Sequence, residues 1–374
     1  MSKLNVALVA PTLEILGGQA VQANRLLRKW NGDAEVEAWL VPINPTFPRM
    51  LRGARSVKYL RTILNELIYI PSLVQQLRRA DVVHVFSASY FSFLLAPLPA
   101  ILVARLLGRP VVLNYRSGQA PDHLARSRVA RWALRSVQRN VVPSRFLVEV
   151  FAEFGIDASV IPNVVDTSRF QFRDRVPLLP RILSTRNFDG LYNVACTIRA
   201  FQRVQQQFPD ATLTLVGGGK EEDRLRTLVR ELGLRGVTFA GQVGPDDIAR
   251  FYDAHDIYLQ SPDIDNMPTS VIEAFACGLP VVSTEAGGVP AILTHRTHGL
   301  LAPLGDDEAL GRHVMELLTS PAAARQYALA ARDSMQGCTW SAVRDQWLRI
   351  YRSALEAASR QQVGRKLADP VSPR

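Results

Sequence analysis

Asp265 and Glu273 stand eight positions apart in the segment whose residue types best suit the binding of a phosphorylated ligand. The apolar spacing after Pro268 predicts a helix from Thr269 to Cys277, with Glu273 about one turn from its start. Free amide groups and the helix dipole at such an N-terminus favour a phosphate group. An acid in the loop can accept hydrogen bonds from sugar hydroxyls, and an acid in the helix can bind a ribose diol with both oxygens. An ordinary capped helix with surface acids has the same spacing, so both interpretations stay open here.

The cysteines and histidines do not have the spacing of a metal site. Cys196, Cys277 and Cys338 are odd in number and far apart, which fits neither a disulfide framework nor a zinc site. His295 and His298 are three apart but have no carboxylate nearby in sequence. We therefore expect a reducing cytoplasmic location and no metal.

Short β-branched runs alternate with helical patterns along the whole chain, which predicts parallel sheets covered on both faces. With 374 residues and 47% hydrophobic content, the chain can form two domains with separate cores. We predict an α/β fold of two Rossmann-like doubly wound domains facing a central cleft, which would bind ligand at the carboxyl ends of both sheets. The predicted domains are 1–172 and 173–340, with a helix over 341–358 joined to the first domain and an unstructured tail over 359–374. The apolar run 91–107 contains Pro97, Pro99 and Arg105, so we interpret it as a buried helix with its lead-in rather than a membrane span.

Several motifs in order along the chain resemble the glycosyltransferase group 1 family, retaining enzymes of the GT-B fold. The family signature has two glutamates separated by seven residues, followed by Gly-x-Pro-Val-Val and a Gly-Gly loop. This chain has Asp265 and Glu273 at that spacing, then 278–282 and Gly287-Gly288. The other matching segments are Gly17-Gly18, 142–144, 161–170, 215–219 and 239–241.

The resemblance implies a role for each matching position. Glu273 would bind the donor ribose, Asp265 the transferred sugar and Arg186 the diphosphate. The backbone and hydroxyl groups that would contact the sugar and diphosphate belong to Asn266, Met267, Pro268, Thr269 and Ser270 in one loop, to Gly217, and to Gly17 and Gly18 in the first domain. A guanidinium and a helix N-terminus can stabilise a departing diphosphate without a metal. We therefore expect no cofactor, and we expect a nucleotide-diphosphate sugar as the donor substrate. We interpret Asp263-Ile264-Asp265 as a segment that contacts the sugar rather than a metal.

Four positions depart from the family pattern. Arg116 replaces the usual histidine near the acceptor, no lysine follows Arg186 by about five residues, Asp265 is one methylene shorter than glutamate, and Ala291 replaces a glutamate. A lost charge-assisted contact is worth roughly 1.5–3 kcal/mol. Our hypothesis is that Arg116 partly replaces the missing cation when the cleft closes; the alternative is that it binds an acceptor carboxylate or phosphate.

The formal net charge of +10 lies entirely in the first half. Residues 1–172 contain 21 Lys and Arg against 11 Asp and Glu, whereas residues 173–374 contain 23 of each. Two basic stripes contribute, one of Arg128, Arg131, Arg135 and Arg139 on an expected helix, the other of Arg49, Arg52, Arg55, Lys58 and Arg61. Each stripe alone is typical of a solvated face. Together they favour docking on anionic lipid.

These features favour a metal-independent retaining hexosyltransferase that moves a sugar from a nucleotide-diphosphate sugar to a lipid-linked or cell-envelope glycan acceptor. The expected location is the cytoplasm, with peripheral attachment to the inner face of the plasma membrane. The alternatives are a non-catalytic sugar-nucleotide-binding protein and a GT-B-fold epimerase. A GT-B-fold phosphorylase would need a pyridoxal-phosphate lysine motif, which we do not find. Nucleic acid is not an expected partner, because the second half is balanced in charge and the donor loop is acidic.

Overall fold

The computed structural model describes residues 3–15, 17–46 and 58–368. The chain forms two compact units. The first comprises the residues up to Pro143, the stretch Leu147–Ile161 and the chain from Arg344 onward; the second comprises Ser144–Phe146 and Pro162–Val343. The division at Pro162 falls earlier than the expected boundary between residues 172 and 173.

The first unit contains a parallel sheet of six strands within the described residues, in the order β2-β1-β3-β4-β5-β6. The strands are β1 (Leu4–Ala10), β2 (Val36–Pro42), β3 (Val82–Ser87), β4 (Val111–Tyr115), β5 (Arg139–Val142) and β6 (Ser159–Val160). The helices are α1 (Gly18–Trp30), α2 (Lys58–Leu77), α3 (Tyr90–Leu95), α4 (Pro97–Leu106), α5 (Ala120–Arg126), α6 (Arg128–Ser136) and α7 (Arg145–Glu153). The strand order reverses direction between β1 and β3.

The second unit contains another parallel sheet of six described strands, in the order β12-β11-β10-β7-β8-β9. The strands are β7 (Arg181–Ser184), β8 (Thr212–Val216), β9 (Val237–Gly241), β10 (Ile257–Leu259), β11 (Val281–Thr284) and β12 (Leu300–Ala302). The helices are α8 (Val194–Gln207), α9 (Glu222–Glu231), α10 (Ala249–Ala254), α11 (Thr269–Cys277), α12 (Asp307–Thr319) and α13 (Pro321–Ser334), and α14 (Trp340–Ala368) runs on into the first unit. The strand order reverses between β7 and β10. The prediction of two doubly wound α/β domains is confirmed.

Burial explains why these segments form these elements. All six residues of β3 are buried, as expected for a β-branched run in a sheet covered on both faces. Helix α11 is apolar on nearly all sides, and every residue from Ser270 to Cys277 is buried. Helix α11 is therefore fixed in the core of the second unit.

Two predictions about local structure in the first unit were wrong. Residues 91–107 form two helices that break at Ala96, and both keep apolar side chains exposed, including Phe91 and Leu106. Helix α6 ends at Ser136, so Arg139 lies in β5 rather than on the expected basic stripe. Its guanidinium donates to Ser353 Oγ at 3.0 Å.

The tail expected from residue 359 is helical as far as Ala368, where α14 ends. Of the second basic stripe, Arg49, Arg52 and Arg55 lie outside the described residues, as do the side chains of Lys58 and Arg61. No helix in the described part of the chain combines the length and hydropathy that a bilayer span requires.

Candidate active site

The predicted donor residues of the second unit come together where the strand order reverses. Arg186 lies just after β7, and the loop with Asp265 follows β10, its neighbour in the sheet. The carboxyl ends of two such strands form the place where doubly wound sheets bind ligands. The reversal therefore creates the site to which both predicted residues contribute.

Arg186 is a buried cation held on three sides. Its Nη2 donates to the carboxylate of Asp265, and its Nη1 donates to Ser270 Oγ at 3.1 Å. The guanidinium carbon lies 4.1 Å from the centroid of the Tyr192 ring. Burial is the largest single effect on the pKa of Arg186 and lowers it, but Asp265 and the nearby tyrosines together outweigh burial, so the pKa lies above its ordinary value. A permanent positive charge is thus fixed at the end of β7.

Asp265 is engaged by the protein through both carboxylate oxygens. Oδ2 accepts from Arg186, and Oδ1 accepts from the backbone N–H of Asn266 at 2.8 Å. Asp263 has a different partner, because its Oδ1 accepts from Asn193 Nδ2 at 3.1 Å. The two carboxylates of the Asp-x-Asp sequence are therefore not paired with each other, and Asp265 orients Arg186.

Helix α11 contributes Ser270 and Glu273 to the same region. Its N-cap residue is Pro268, which makes no side-chain capping hydrogen bond. Glu273 is 6% exposed. Burial and the charge and hydrogen bond of Glu273 raise the pKa of Tyr252 well above its ordinary value. The Tyr252 hydroxyl also lies 2.7 Å from Thr185 Oγ1, the residue before Arg186.

Two glycine-rich loops allow the site loops to approach each other. A Cβ on Gly217 would collide with the carbonyl oxygen of Arg186, and a Cβ on Gly288 would collide with that of Asn266. The Gly288 N–H also donates to the Asp265 carbonyl at 3.2 Å. Gly217 thus has a structural reason to lack a side chain, which is to let the loop after β8 lie on the loop after β7.

The residues between Asp265 and the helix have different roles. Met267 is buried in the core, and its carbonyl accepts from Asn163 Nδ2 at 2.7 Å, so its side chain is a packing group. Asn266 is 3% exposed, and its Oδ1 accepts from Ser144 Oγ. Several buried donors in the described part of the chain have no hydrogen-bond partner, and two of them, Asn266 Nδ2 and Arg186 Nε, belong to this region.

The first unit holds the other predicted residues. Gly17 is the N-cap residue of α1, and a Cβ on Gly17 or Gly18 would meet no atom within 4 Å. The protein itself therefore does not require glycine at either position. Arg116 follows β4, lies 5.5 Å from the centroid of the Phe86 ring, and places its Nη1 3.5 Å from Asn114 Oδ1. Burial lowers the pKa of Arg116.

Sequence reasoning missed the aromatic residues around Arg186. Tyr192 ends a short 3-10 turn (Gly190–Tyr192) in the stretch where the family lysine was expected and absent. It supplies a ring face to the guanidinium instead of a second charge. In the sequence, the missing lysine was the feature that could have indicated that this stretch differs from the family pattern. Nothing in the spacing pointed to Tyr252, which reaches the site from α10.

The sequence of this chain is similar to those of known glycosyltransferases. Residues 175–334 match the family described as Glycosyl transferases group 1, and residues 16–169 match Glycosyltransferase Family 4. The Erwinia amylovora protein named "Amylovoran biosynthesis glycosyltransferase AmsK" is 31% identical over 173 residues, covering 44% of this chain and 42% of that protein. A Mycobacterium leprae protein named "Phosphatidyl-myo-inositol mannosyltransferase" is 29% identical over 216 residues, covering 56% of this chain and 57% of that protein. The match thus spans about half the length of each relative.

Solved structures share the fold. The Anabaena protein HepE in complex with UDP-glucose superposes with a TM-score of 0.75 at 17% identity, over 94% of this chain and 100% of that one. Sucrose-phosphate synthase from Thermosynechococcus elongatus superposes with a TM-score of 0.72 at 20% identity, over 95% of this chain and 100% of that one. At these identities the likeness concerns the fold alone.

Proposed function

Because this chain belongs to the glycosyltransferase group 1 family, we propose that it transfers a hexose from a nucleotide-diphosphate sugar to a glycan or lipid-linked acceptor. The donor is held in the second unit. The observation that carries the proposal is Arg186, a nearly buried cation beside the N-terminus of α11 at the reversal of the strand order. A diphosphate matches both features.

Each site residue has a role in the proposed reaction. Arg186 and the amides at the start of α11 bind the diphosphate and stabilise the charge that grows on it as the bond to the sugar breaks. Glu273 binds the ribose diol, and Asp265 positions Arg186 while bordering the sugar. The acceptor hydroxyl forms the new bond and gives up its proton to the departing phosphate oxygen.

The proposal includes retention of anomeric configuration and independence of metal ions. Retention is supported by the family resemblance. Metal independence is supported by Arg186, which supplies positive charge at the diphosphate, and by the separate partners of Asp263 and Asp265. Activity should survive EDTA, and the anomeric proton coupling in the product should match that of the donor sugar.

A panel of nucleotide sugars tests the donor. We expect one of them to raise the melting temperature of the protein, and we expect a glycosylated product when it is combined with acceptor lipids or glycans. A stabilised protein that releases only a rearranged nucleotide sugar would be an epimerase. One that changes no substrate under any condition would be a binding protein, and the transferase assignment would be wrong.

We further propose that the first unit attaches to anionic membranes. Exposed apolar side chains on α2, α3 and α4 support this, and Leu106 is 87% exposed. These helices are neighbours, since Tyr69 of α2 donates to the carbonyl of Ala96 between α3 and α4 at 3.0 Å. Basic residues border them, with the Arg105 guanidinium 5.4 Å from the Trp132 ring centroid. Apolar side chains insert at the lipid boundary while basic residues contact anionic headgroups.

Vesicle flotation tests the membrane proposal. We expect binding to phosphatidylcholine vesicles that contain phosphatidylglycerol and little binding to pure phosphatidylcholine. Leu102→Gln combined with Leu106→Gln should reduce flotation. Leu304→Gln, an exposed leucine of the second unit, is the matched control. Equal flotation on both vesicle types, or no loss in the double variant, would contradict the proposal.

A further inference from the structure

Tyr90 has a backbone conformation that aromatic residues rarely adopt. Its φ is 55°, in the left-handed region, and the other described non-glycine residues with positive φ are Asn193 and Arg296. Asparagine tolerates this region, whereas a bulky side chain there is strained. Such strain persists only where the surroundings enforce it, and it concentrates at binding and catalytic sites.

The side chain of Tyr90 is held by its neighbours. Its hydroxyl donates to Asp122 Oδ2 at 2.5 Å, and its ring centroid lies 5.3 Å from that of His123. His123 Nδ1 lies 2.8 Å from the Tyr115 hydroxyl, which lies 2.8 Å from Ser89 Oγ. The network thus returns to the residue next to Tyr90, which fixes both its backbone and its ring.

The outer part of this network is accessible. Tyr90 is 37% exposed and the Asp122 side chain is 43% exposed, whereas His123 and Tyr115 are buried. Asp122 Oδ1 also pairs with Arg126 Nε at 2.7 Å. An aromatic side chain and a carboxylate are therefore presented together at the surface of the first unit.

The position of the network in the sheet is one where ligands bind. Tyr90 follows β3 and Asp122 follows β4, so both lie beyond the carboxyl ends of adjacent parallel strands. β3 also borders the reversal of the strand order at β1. Gln19, in the first turn of α1, donates to the Ser87 carbonyl at the end of β3 at 3.0 Å, which connects the start of α1 to this edge.

We propose that Tyr90 and Asp122 form the subsite that binds a sugar ring of the acceptor, an inference that rests on the proposed transferase function. The ring of Tyr90 packs against the C–H face of the sugar, because the π face carries partial negative charge. The Asp122 carboxylate accepts hydrogen bonds from sugar hydroxyls. The hydrogen bond to Asp122 and the contact with His123 hold the ring of Tyr90 beside that carboxylate.

Saturation-transfer NMR on the full chain without donor tests the subsite. The probes are the methyl glycosides of glucose, galactose, mannose and N-acetylglucosamine. We expect at least one to bind the wild-type protein, with about tenfold weaker binding to Tyr90→Ala and to Asp122→Asn, since each loses a contact of the charge-assisted or aromatic kind. Tyr90→Phe should keep part of the affinity through its ring.

Matched controls separate this subsite from general damage. Trp132→Ala removes another half-exposed aromatic residue of the same unit, and Glu153→Gln removes another exposed carboxylate. Both should bind the probe sugar as the wild type does, and all variants should keep the melting-temperature shift with the nucleotide sugar. The subsite alone is overturned if the donor binds but no probe sugar does. It is also overturned if the donor binds and the probe sugar binds Tyr90→Ala and Asp122→Asn as tightly as the wild type. If no nucleotide sugar binds the wild type, the proposed function itself is overturned.

Discussion

The ion pair between Arg186 and Asp265 provides a test that separates stability from donor binding. The two side chains are 9% and 13% exposed. Arg186→Met leaves the Asp265 carboxylate buried without its cation. Removal of one partner from a buried pair costs about 3–5 kcal/mol. For a domain of about 150–250 residues this corresponds to a fall of roughly 6–20 °C in melting temperature.

The double variant Arg186→Met/Asp265→Leu should regain most of that stability, since apolar residues of similar size can replace a buried pair at little cost. Its donor affinity should not recover, because the cation that binds the diphosphate is missing. Loss of a charge-assisted contact of about 1.5–3 kcal/mol weakens binding roughly 10- to 150-fold. Urea unfolding measures the stability, and calorimetric titration with the best-binding nucleotide sugar measures the affinity.

The pair Arg203–Asp307 is the matched control in the same unit, with side chains 42% and 25% exposed. Its replacement by Met and Leu should change stability by less than about 1 kcal/mol and leave donor affinity unchanged. Wild-type donor affinity in Arg186→Met/Asp265→Leu would refute the diphosphate role of Arg186. Arg186 would then be only a structural partner of Asp265.

Three further predictions concern other residues. Burial, with a contribution from Arg116, lowers the pKa of His84 to about 3. Below the ordinary pKa near 6.5 the unfolded chain therefore takes up a proton at His84, whereas the folded protein keeps it neutral. The free energy of unfolding falls by about 1.4 kcal/mol for each pH unit as the pH decreases from 6.5 toward 3. Urea unfolding of His84→Gln at several pH values should show a correspondingly flatter dependence; an unchanged slope contradicts this. Arg116→Ala should weaken donor binding, because in our hypothesis Arg116 replaces the lysine that is missing after Arg186. A rise in the acceptor KM alone would favour the alternative role of Arg116 in acceptor binding. Gly217→Ala should lower the melting temperature, because its Cβ would meet the Arg186 carbonyl; Gly244→Ala, which meets no atom within 4 Å, is the control.

Regular elements were predictable where a single periodic pattern covers them. Helix α11 begins and ends at the predicted residues Thr269 and Cys277. Strand β12 could not be predicted in this way, because its three residues after Gly299 are too few to show a period. The run 91–107 was misjudged because hydropathy does not distinguish apolar residues that face the core from those that face outward, such as Leu106.

The site was predictable as a set of residues but not as a set of contacts. The spacing pointed to Asp265 and Glu273, and the family resemblance implied Arg186. The ion pair nevertheless joins positions 79 residues apart in sequence, and only the order of the strands brings them together. The same holds for Tyr192 under the guanidinium and for the strained backbone at Tyr90, since neither a ring contact nor a φ angle has a sequence pattern.

The binding of a ribose by Glu273 tests the central claim most directly. Calorimetric titrations should compare the best-binding nucleoside diphosphate with its 2′-deoxy form, on the wild type and on Glu273→Gln. The wild type should prefer the ribose form by roughly 10- to 150-fold, as expected for a charge-assisted contact to the diol. Glu273→Gln should lose most of this preference while remaining folded, because the amide oxygen can still accept from Tyr252. An equal preference in both proteins, or none in the wild type, would show that the nucleotide does not bind at α11.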